Sequence, residues 1–161
     1  MMTMQAENGT EAWDPPVYDL GEGALRSVRW HIANYHNIRK AVYEKRLEMK
    51  RRSGAPERRS QGFVSDPTQT EALKNLTPLR MVTISGGEVQ QPETWLAAID
   101  KVMSMLERHD QRIIEVSFWE HHTWQASVDA LHMDKMTYYR RRDKLMTLFA
   151  IECAARGLIR I

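Results

Sequence analysis

Residues 123–142 read TWQASVDALHMDKMTYYRRR, and the fold turns on how this stretch divides. Thr123 carries the hydroxyl of a helix N-cap. Trp124, Val128 and Leu131 follow it at four- and three-residue spacing, which marks one apolar helix face. His132-Met133-Asp134 interrupts the pattern, and Asp134 is a good cap for what comes next. Over residues 135–156, Tyr138, Leu145, Phe149 and Cys153 share one stripe, and Gly157 supplies the C-terminal stop. A short helix, a three-residue turn and a longer basic helix form the helix-turn-helix plan. With that stripe turned inward, Lys135, Met136, Thr137, Tyr139, Arg140 and Arg141 stand outward or at the flanks, with Lys144 beyond them. Arg142 falls nearer the inward stripe and ranks below its neighbours. These side chains suit double-stranded DNA: Arg pairs with guanine in a bidentate way, Thr and Met meet a thymine methyl, and Lys and Tyr hydroxyls bind phosphates.

Working back toward the N-terminus, Pro92-Glu93-Thr94 opens a helix whose Trp95, Ile99, Val102 and Leu106 line one face, with Leu96 and Met103 beside it, ending near His109. Asp110 is placed to cap a further helix over residues 111–120. The β-branched content there (Ile113, Ile114, Val116) keeps a strand as the alternative. His121-His122 then breaks the chain before Thr123. Residues 77–91 contain Pro78, Gly86-Gly87 and the alternating Met81-Val82-Thr83-Ile84, which fits either a loop or a small hairpin. Ser65-Asp66-Pro67 signals a short helix through about Asn75, and residues 53–61 (SGAPERRSQ) form a mobile basic loop. From Glu22, the positions Leu25, Val28, Ile32, Tyr35, Val42 and Met49 predict one long amphipathic helix ending near Arg52, with Arg39 and Arg46 in the two missing places of its register. That stripe suits packing within the chain or against a second copy. Residues 1–21 are acidic and Pro-interrupted and read as a flexible arm, on which Trp13 and Tyr18 are candidates for docking. The expected organisation is all-α: an arm over 1–21, an N-terminal helical region with linkers over 22–91, and a helix-turn-helix domain over 92–161.

The net charge of +2 hides segregation. Five acids and no base precede Arg26, eleven Lys/Arg face three Glu over residues 26–59, and Lys135, Arg140, Arg141, Arg142 and Lys144 face only Asp143 near the C-terminus. Two basic stretches suggest a polyanionic partner, because Lys and Arg that neutralise phosphates release counterions; a solvated helix face is the plainer reading of the first stretch alone. With 161 residues and 42% hydrophobic content, the chain can bury one real core. No apolar run is long enough for a membrane span, and no secretory signal stands at the N-terminus. The single Cys153 reads as a small core residue in a cytoplasmic protein. His109, His121, His122, His132 and Glu120 lack metal-ligand spacing. No Gly-rich phosphate loop, nucleophile elbow or marked carboxylate pair argues for an enzyme, and no cofactor is expected.

The run from Trp124 to Arg142 resembles the C-terminal signature of phage RinA- and ArpU-type late transcription regulators, whose helix-turn-helix is similar to region four of bacterial sigma factors. The basic first helix, the Ser65-Asp66-Pro67-Thr68 segment and the Trp-led helix match more loosely, and the resemblance spans about residues 25–157. It implies activation of late phage genes from a promoter-proximal site in the host cytoplasm, with bacterial RNA polymerase as a further partner and a monomer or homodimer as the acting form. Gly86-Gly87 and the acidic first 21 residues depart from the family pattern. A small terminase subunit recognising phage DNA for packaging, or a helical adaptor that binds no DNA, are the alternatives.

Overall fold

The computed structural model describes residues 20–53 and 77–161. The expected arm through Asp19, most of the basic loop and the helix at 65–75 lie outside the described residues. What is described is all-α: six helices and one small two-stranded sheet. The helices are α1 (Glu22–Ala33), α2 (Tyr35–Ser53), α3 (Pro92–Met105), α4 (Arg108–Ile114), α5 (Trp124–Leu131) and α6 (Lys135–Ala155). Strands β1 (Met81–Ile84) and β2 (Gly87–Gln90) separate α2 from α3, and a π-helical turn (Glu115–Trp119) continues α4. Leu20, assigned to the arm by its sequence context, is buried.

The single long N-terminal helix is corrected to two. Asn34 leaves helical geometry (φ −95°, ψ 9°), and its Nδ2 donates to Trp30 O at 2.9 Å. A short amide side chain that bonds backbone four residues back competes with the helical ladder, and the axis is interrupted there. Val28, Ile32 and Tyr35 are buried as the periodicity expects; Ile38, outside the expected stripe, is buried too, and Met49 at the end of that stripe is exposed. The interruption brings α1 and α2 around Trp119, whose ring stacks on Tyr35 (5.3 Å between centroids) and whose Nε1 donates to Ile32 O at 2.9 Å. That carbonyl lies in the last turn of α1, where a helix leaves acceptors to be satisfied.

Arg46 explains one of the two gaps in the apolar register. Its guanidinium grips Glu93 with both forks, Nε to Oε1 at 2.9 Å and Nη2 to Oε2 at 2.8 Å, and reaches Thr77 O at 2.8 Å. Glu93 Oε2 also accepts the Leu79 N–H at 2.9 Å. Two turns further along α3, Asp100 accepts the Tyr35 hydroxyl, with Arg39 close by. Burial and that carboxylate push the Tyr35 phenol up to about 12. Since Tyr35 meets Asp100 while Arg46 meets Glu93, α2 and α3 run antiparallel. Arg46 thus sits on an acid of α3, and Arg39 lies by the Tyr35 hydroxyl that Asp100 accepts.

Residues 81–90 resolve as a hairpin with Val82 opposite Val89 and Thr83 opposite Glu88. Both valines are buried while Thr83 and Glu88 face water, the alternation of a half-covered ladder. Gly86 lies so close to Trp30 that a Cβ there would stand 3.3 Å from the indole, and Gly87 adopts φ +131°, open only to glycine. α3 stops at Met105 rather than near His109, and Glu107, not Asp110, takes the N-cap place of α4. Gln111 Nε2 donates to Met103 O (2.8 Å) and Leu106 O (3.3 Å), closing the end of α3 from outside and making an early stop stable. The β-branched segment after Asp110 is helical, not a strand, and its last turn widens to a π register with Glu120 N–H on Glu115 O at 2.8 Å. Buried side chains from every helix that carries them, and from both strands, form one cluster, with Ile32, Ile38, Ile99, Ile113, Ile114, Tyr138 and Phe149 among its largest members.

Candidate nucleic-acid interface

The two helices that would carry DNA binding are set by three local devices. Thr123 Oγ1 accepts the Ala126 N–H at 3.2 Å and starts α5. At its end, Met133 N–H bonds Val128 O (3.2 Å) and His132 N–H bonds Asp129 O (3.3 Å), with His132 left-handed at φ 52°. That is the paired closure of a Schellman end, built on a histidine where glycine is usual. Asp134 then caps α6, Oδ2 accepting the Thr137 N–H at 3.1 Å and Oδ1 accepting the Thr137 hydroxyl at 2.6 Å. Those bonds hold the Asp134 carboxyl below its ordinary range, the Thr137 hydroxyl first among the causes. At the far end, Gly157 (φ +74°) and Leu158 close α6 on Ala154 O and Cys153 O in the same way.

Packing fixes which way α6 faces. Tyr138, Leu145, Met146, Phe149, Ala150 and Cys153 are buried, so Met136, Arg140 and Lys144, spaced one turn apart, run along the opposite side. Met136 is 70% exposed and Arg140 is exposed, while Lys144 is half-buried. Asp143, exposed next to this row, was not singled out from the sequence. Among the expected site residues, Lys135 is exposed and lies over the Trp124 ring at 4.4 Å. Trp124, expected on the inward face of α5, sits at the surface. Ser127 and Leu131 are the buried side chains of that helix, because the four-residue step from Leu131 to Ser127 holds the face that Trp124 was to lead. Thr137 is half-buried and its hydroxyl is engaged in the cap. Tyr139 packs edge-on against Tyr138 at 5.3 Å. Arg141 turns to the flank, 3.6 Å from Asp110 of α4.

No family model, curated protein or solved structure matches the chain.

The scaffold behind α6 is tied down by polar bonds as well as by its core. Tyr138 shares a 2.7 Å hydrogen bond with Ser117 of the π turn. Glu115 is held by Arg108 at 2.7 Å and Arg112 at 3.2 Å, and those bonds, Arg108 first, keep its carboxyl below the ordinary range. Much of the first basic stretch serves its own fold: Arg46 clamps Glu93, Arg52 pairs with Glu48 at 2.7 Å, Lys40 lies 3.9 Å from Glu44, and Lys45 donates to Met81 O at 2.9 Å. Arg26 and Arg29 are exposed. Burial pushes the Cys153 thiol up to about 12, which suits a core residue and not a thiolate. Among the described residues, no three His, Cys, Asp or Glu side chains come together as a metal cluster. No helix there is long and apolar enough to cross a membrane.

Proposed function

We propose that this protein is a sequence-specific double-stranded DNA-binding transcription regulator, of the kind that activates phage late genes, and that it acts without enzymatic chemistry. The observation that carries the reading is the α5–turn–α6 unit: both helices are capped by their own side chains, α6 is held from behind by buried Tyr138, Leu145 and Phe149, and Met136, Arg140 and Lys144 run along its other side. In this reading the first turns of α6 enter the major groove and α5 braces them across the backbone. Arg140 is the candidate for a bidentate guanine contact, Met136 for a thymine methyl, and Lys135, Tyr139, Arg141 and Lys144 for the phosphates on either side. Thr137 supports the helix start more than it reads a base. The exposed Arg26 and Arg29 add positive charge on α1. A bacterial RNA polymerase contact and action as a monomer or homodimer belong to the same reading, through the resemblance to region four of sigma factors.

The test is a binding selection on random duplex DNA with the purified full chain, a salt titration on any enriched site, and sizing of the free protein. An enriched site bound by a monomer or dimer, with affinity falling steeply in salt, is expected. Arg140→Ala should then cost about 1–3 kcal/mol at one base pair and relax the preference there. An untouched preference removes α6 as the reading helix. A large ring on sizing without enrichment favours a packaging role, and no DNA binding favours an adaptor.

A further inference from the structure

Two half-buried arginines among the described residues, Arg46 and Arg112, each face a carboxylate: Arg46 is held by Glu93, and Arg112 by Glu115 and Glu120. Arg142 is a third, and no carboxylate of the described residues pairs with it. Its guanidinium carbon lies 5.2 Å from the Tyr139 ring centre and 5.8 Å from that of Tyr138. Its Nε is buried without a hydrogen-bond partner. A cation in this position has lost part of its water without gaining a counter-charge, which is unfavourable in a fold that pairs its neighbours. The rings that hold it are themselves fixed, Tyr138 by Ser117 and Tyr139 against Tyr138.

Long helical side chains lean toward the helix N-terminus, and Arg142 packs on the residues three and four before it. Lys135, Tyr139 and Arg142 therefore make one row, at i, i+4 and i+7, down the side of α6 next to Trp124 of α5. At about 100° per residue, Tyr139 stands about 60–100° and Lys135 about 100–140° around the helix from Met136 and Arg140, while Arg142, about 120–160° away on the inward side, reaches this flank by leaning back on the Tyr139 ring. Where a helix fills a groove with one face, rows on its sides meet the groove walls, and the walls are phosphate.

We propose that Arg142, preset against the Tyr138 and Tyr139 rings, binds a backbone phosphate oxyanion, with Lys135 and the Tyr139 hydroxyl on the same strand. The proposal rests on the DNA-binding reading above and names a contact that the sequence ranked low. The phosphate supplies the counter-charge that the described residues do not, and the two ring contacts mean that less side-chain freedom is lost on binding.

The experiment uses the full chain and the duplex enriched in the selection, titrated over a range of salt for the unaltered protein, Arg142→Gln and Arg142→Lys, with melting followed in parallel. Arg142→Gln is expected to weaken every duplex alike, by about tenfold, and to lower the slope of log K against log salt by about 0.9, the value of one phosphate contact. Arg142→Lys is expected to keep the slope. A folded Arg142→Gln with unchanged slope overturns the proposal while leaving DNA binding intact; an unaltered protein that binds no duplex overturns both. If Arg142→Gln does not fold, single phosphates of the site are replaced by uncharged methylphosphonate and bound to the unaltered protein and Arg142→Lys. One position that matters several-fold more to the unaltered protein identifies the contact, and identical profiles overturn it. Competition by inorganic phosphate at matched ionic strength separates a free-anion site from a DNA contact: selective displacement of DNA by the free ion overturns the backbone assignment.

Discussion

Glu93→Ala would remove the acid that Arg46 grips. Four bonds meet at this pair: two charge-assisted contacts at 2.9 and 2.8 Å, the Arg46 bond to Thr77 O at 2.8 Å, and the Leu79 N–H on Glu93 at 2.9 Å. Breaking a fully buried pair by removing one partner costs about 3–5 kcal/mol. Here the side chains retain 21% and 30% of their exposure, so solvent screens part of that. The Leu79 N–H, on a buried residue, loses its acceptor, worth about 1–3 kcal/mol by itself. The expected loss is about 2–3 kcal/mol, which for a chain of this size lowers the melting temperature by about 4–12 °C. Urea unfolding followed by circular dichroism measures it, together with Glu93→Gln, which keeps an acceptor for Leu79 and should fall between. In a double-mutant cycle with Arg46→Met, the coupling should reach about 1 kcal/mol or more. A Glu93→Ala loss below about 0.5 kcal/mol, or additive single changes, would refute the view that this pair joins α2 to α3.

Three other outcomes are expected. Phe149→Ala, in the buried stripe of α6, should cost about 3–5 kcal/mol in denaturant unfolding, and a loss under about 1 kcal/mol would mean that the α6 core is loosely packed. His132→Gly should raise stability by about 1 kcal/mol, because glycine adopts the left-handed angle of that turn without the Cβ clash; a fall in melting temperature would show that the imidazole makes a contact that outweighs the strain. His31 stacks on Trp95 with centroids 3.5 Å apart, and burial holds its imidazole below the ordinary 6.5 against the opposing Ser27 O bond. The folded chain thus takes up that proton less readily than the unfolded one. Its contribution is complete above about pH 6.5 and is lost as pH falls through the lowered value. Melting curves between about pH 7.5 and 5 should show this decline, and His31→Phe, which keeps a ring on Trp95, should reduce it; an acid limb of unchanged depth would sink the assignment.

Features that depend on a few neighbouring residues were legible. Thr123, Asp134 and Gly157 act as caps and stop because a hydroxyl, a carboxylate and a left-handed angle do their work within four residues of chain. The Tyr138–Leu145–Phe149–Cys153 stripe was equally plain, and it settled which side of α6 is left for Met136 and Arg140. What was not legible depended on partners far along the chain. Arg46 looked like a defect in an apolar register until Glu93, 47 residues on, supplied its counter-charge; bases at 39 and 46 and acids at 93 and 100, each two turns apart, were the available signal. The choice between loop and hairpin for residues 81–90 needed a surface for Val82 and Val89 to cover. Asn34 carried only a weak local cue to an interruption, and α3 stopped early because Gln111 reaches back to it. Arg142 was ranked by its angle on the helix, whereas its place against two phenol rings depends on how Tyr138 is anchored to Ser117.

A π turn holds one residue more per hydrogen-bonded ring than the helix around it, so the stretch from Glu115 to Trp119 is a helix that has absorbed an insertion without breaking. Removing one residue there would return the backbone to the ordinary ladder, and because the wider turn spreads nearly the same rotation over one more residue, the chain on either side would keep its phase to within about a quarter-turn. What would be lost is local: the wide turn that presents Ser117 to Tyr138 and Trp119 to Ile32. The segment is a length buffer, a place where a helix takes one residue more or fewer while α5 and α6 stay against the same core.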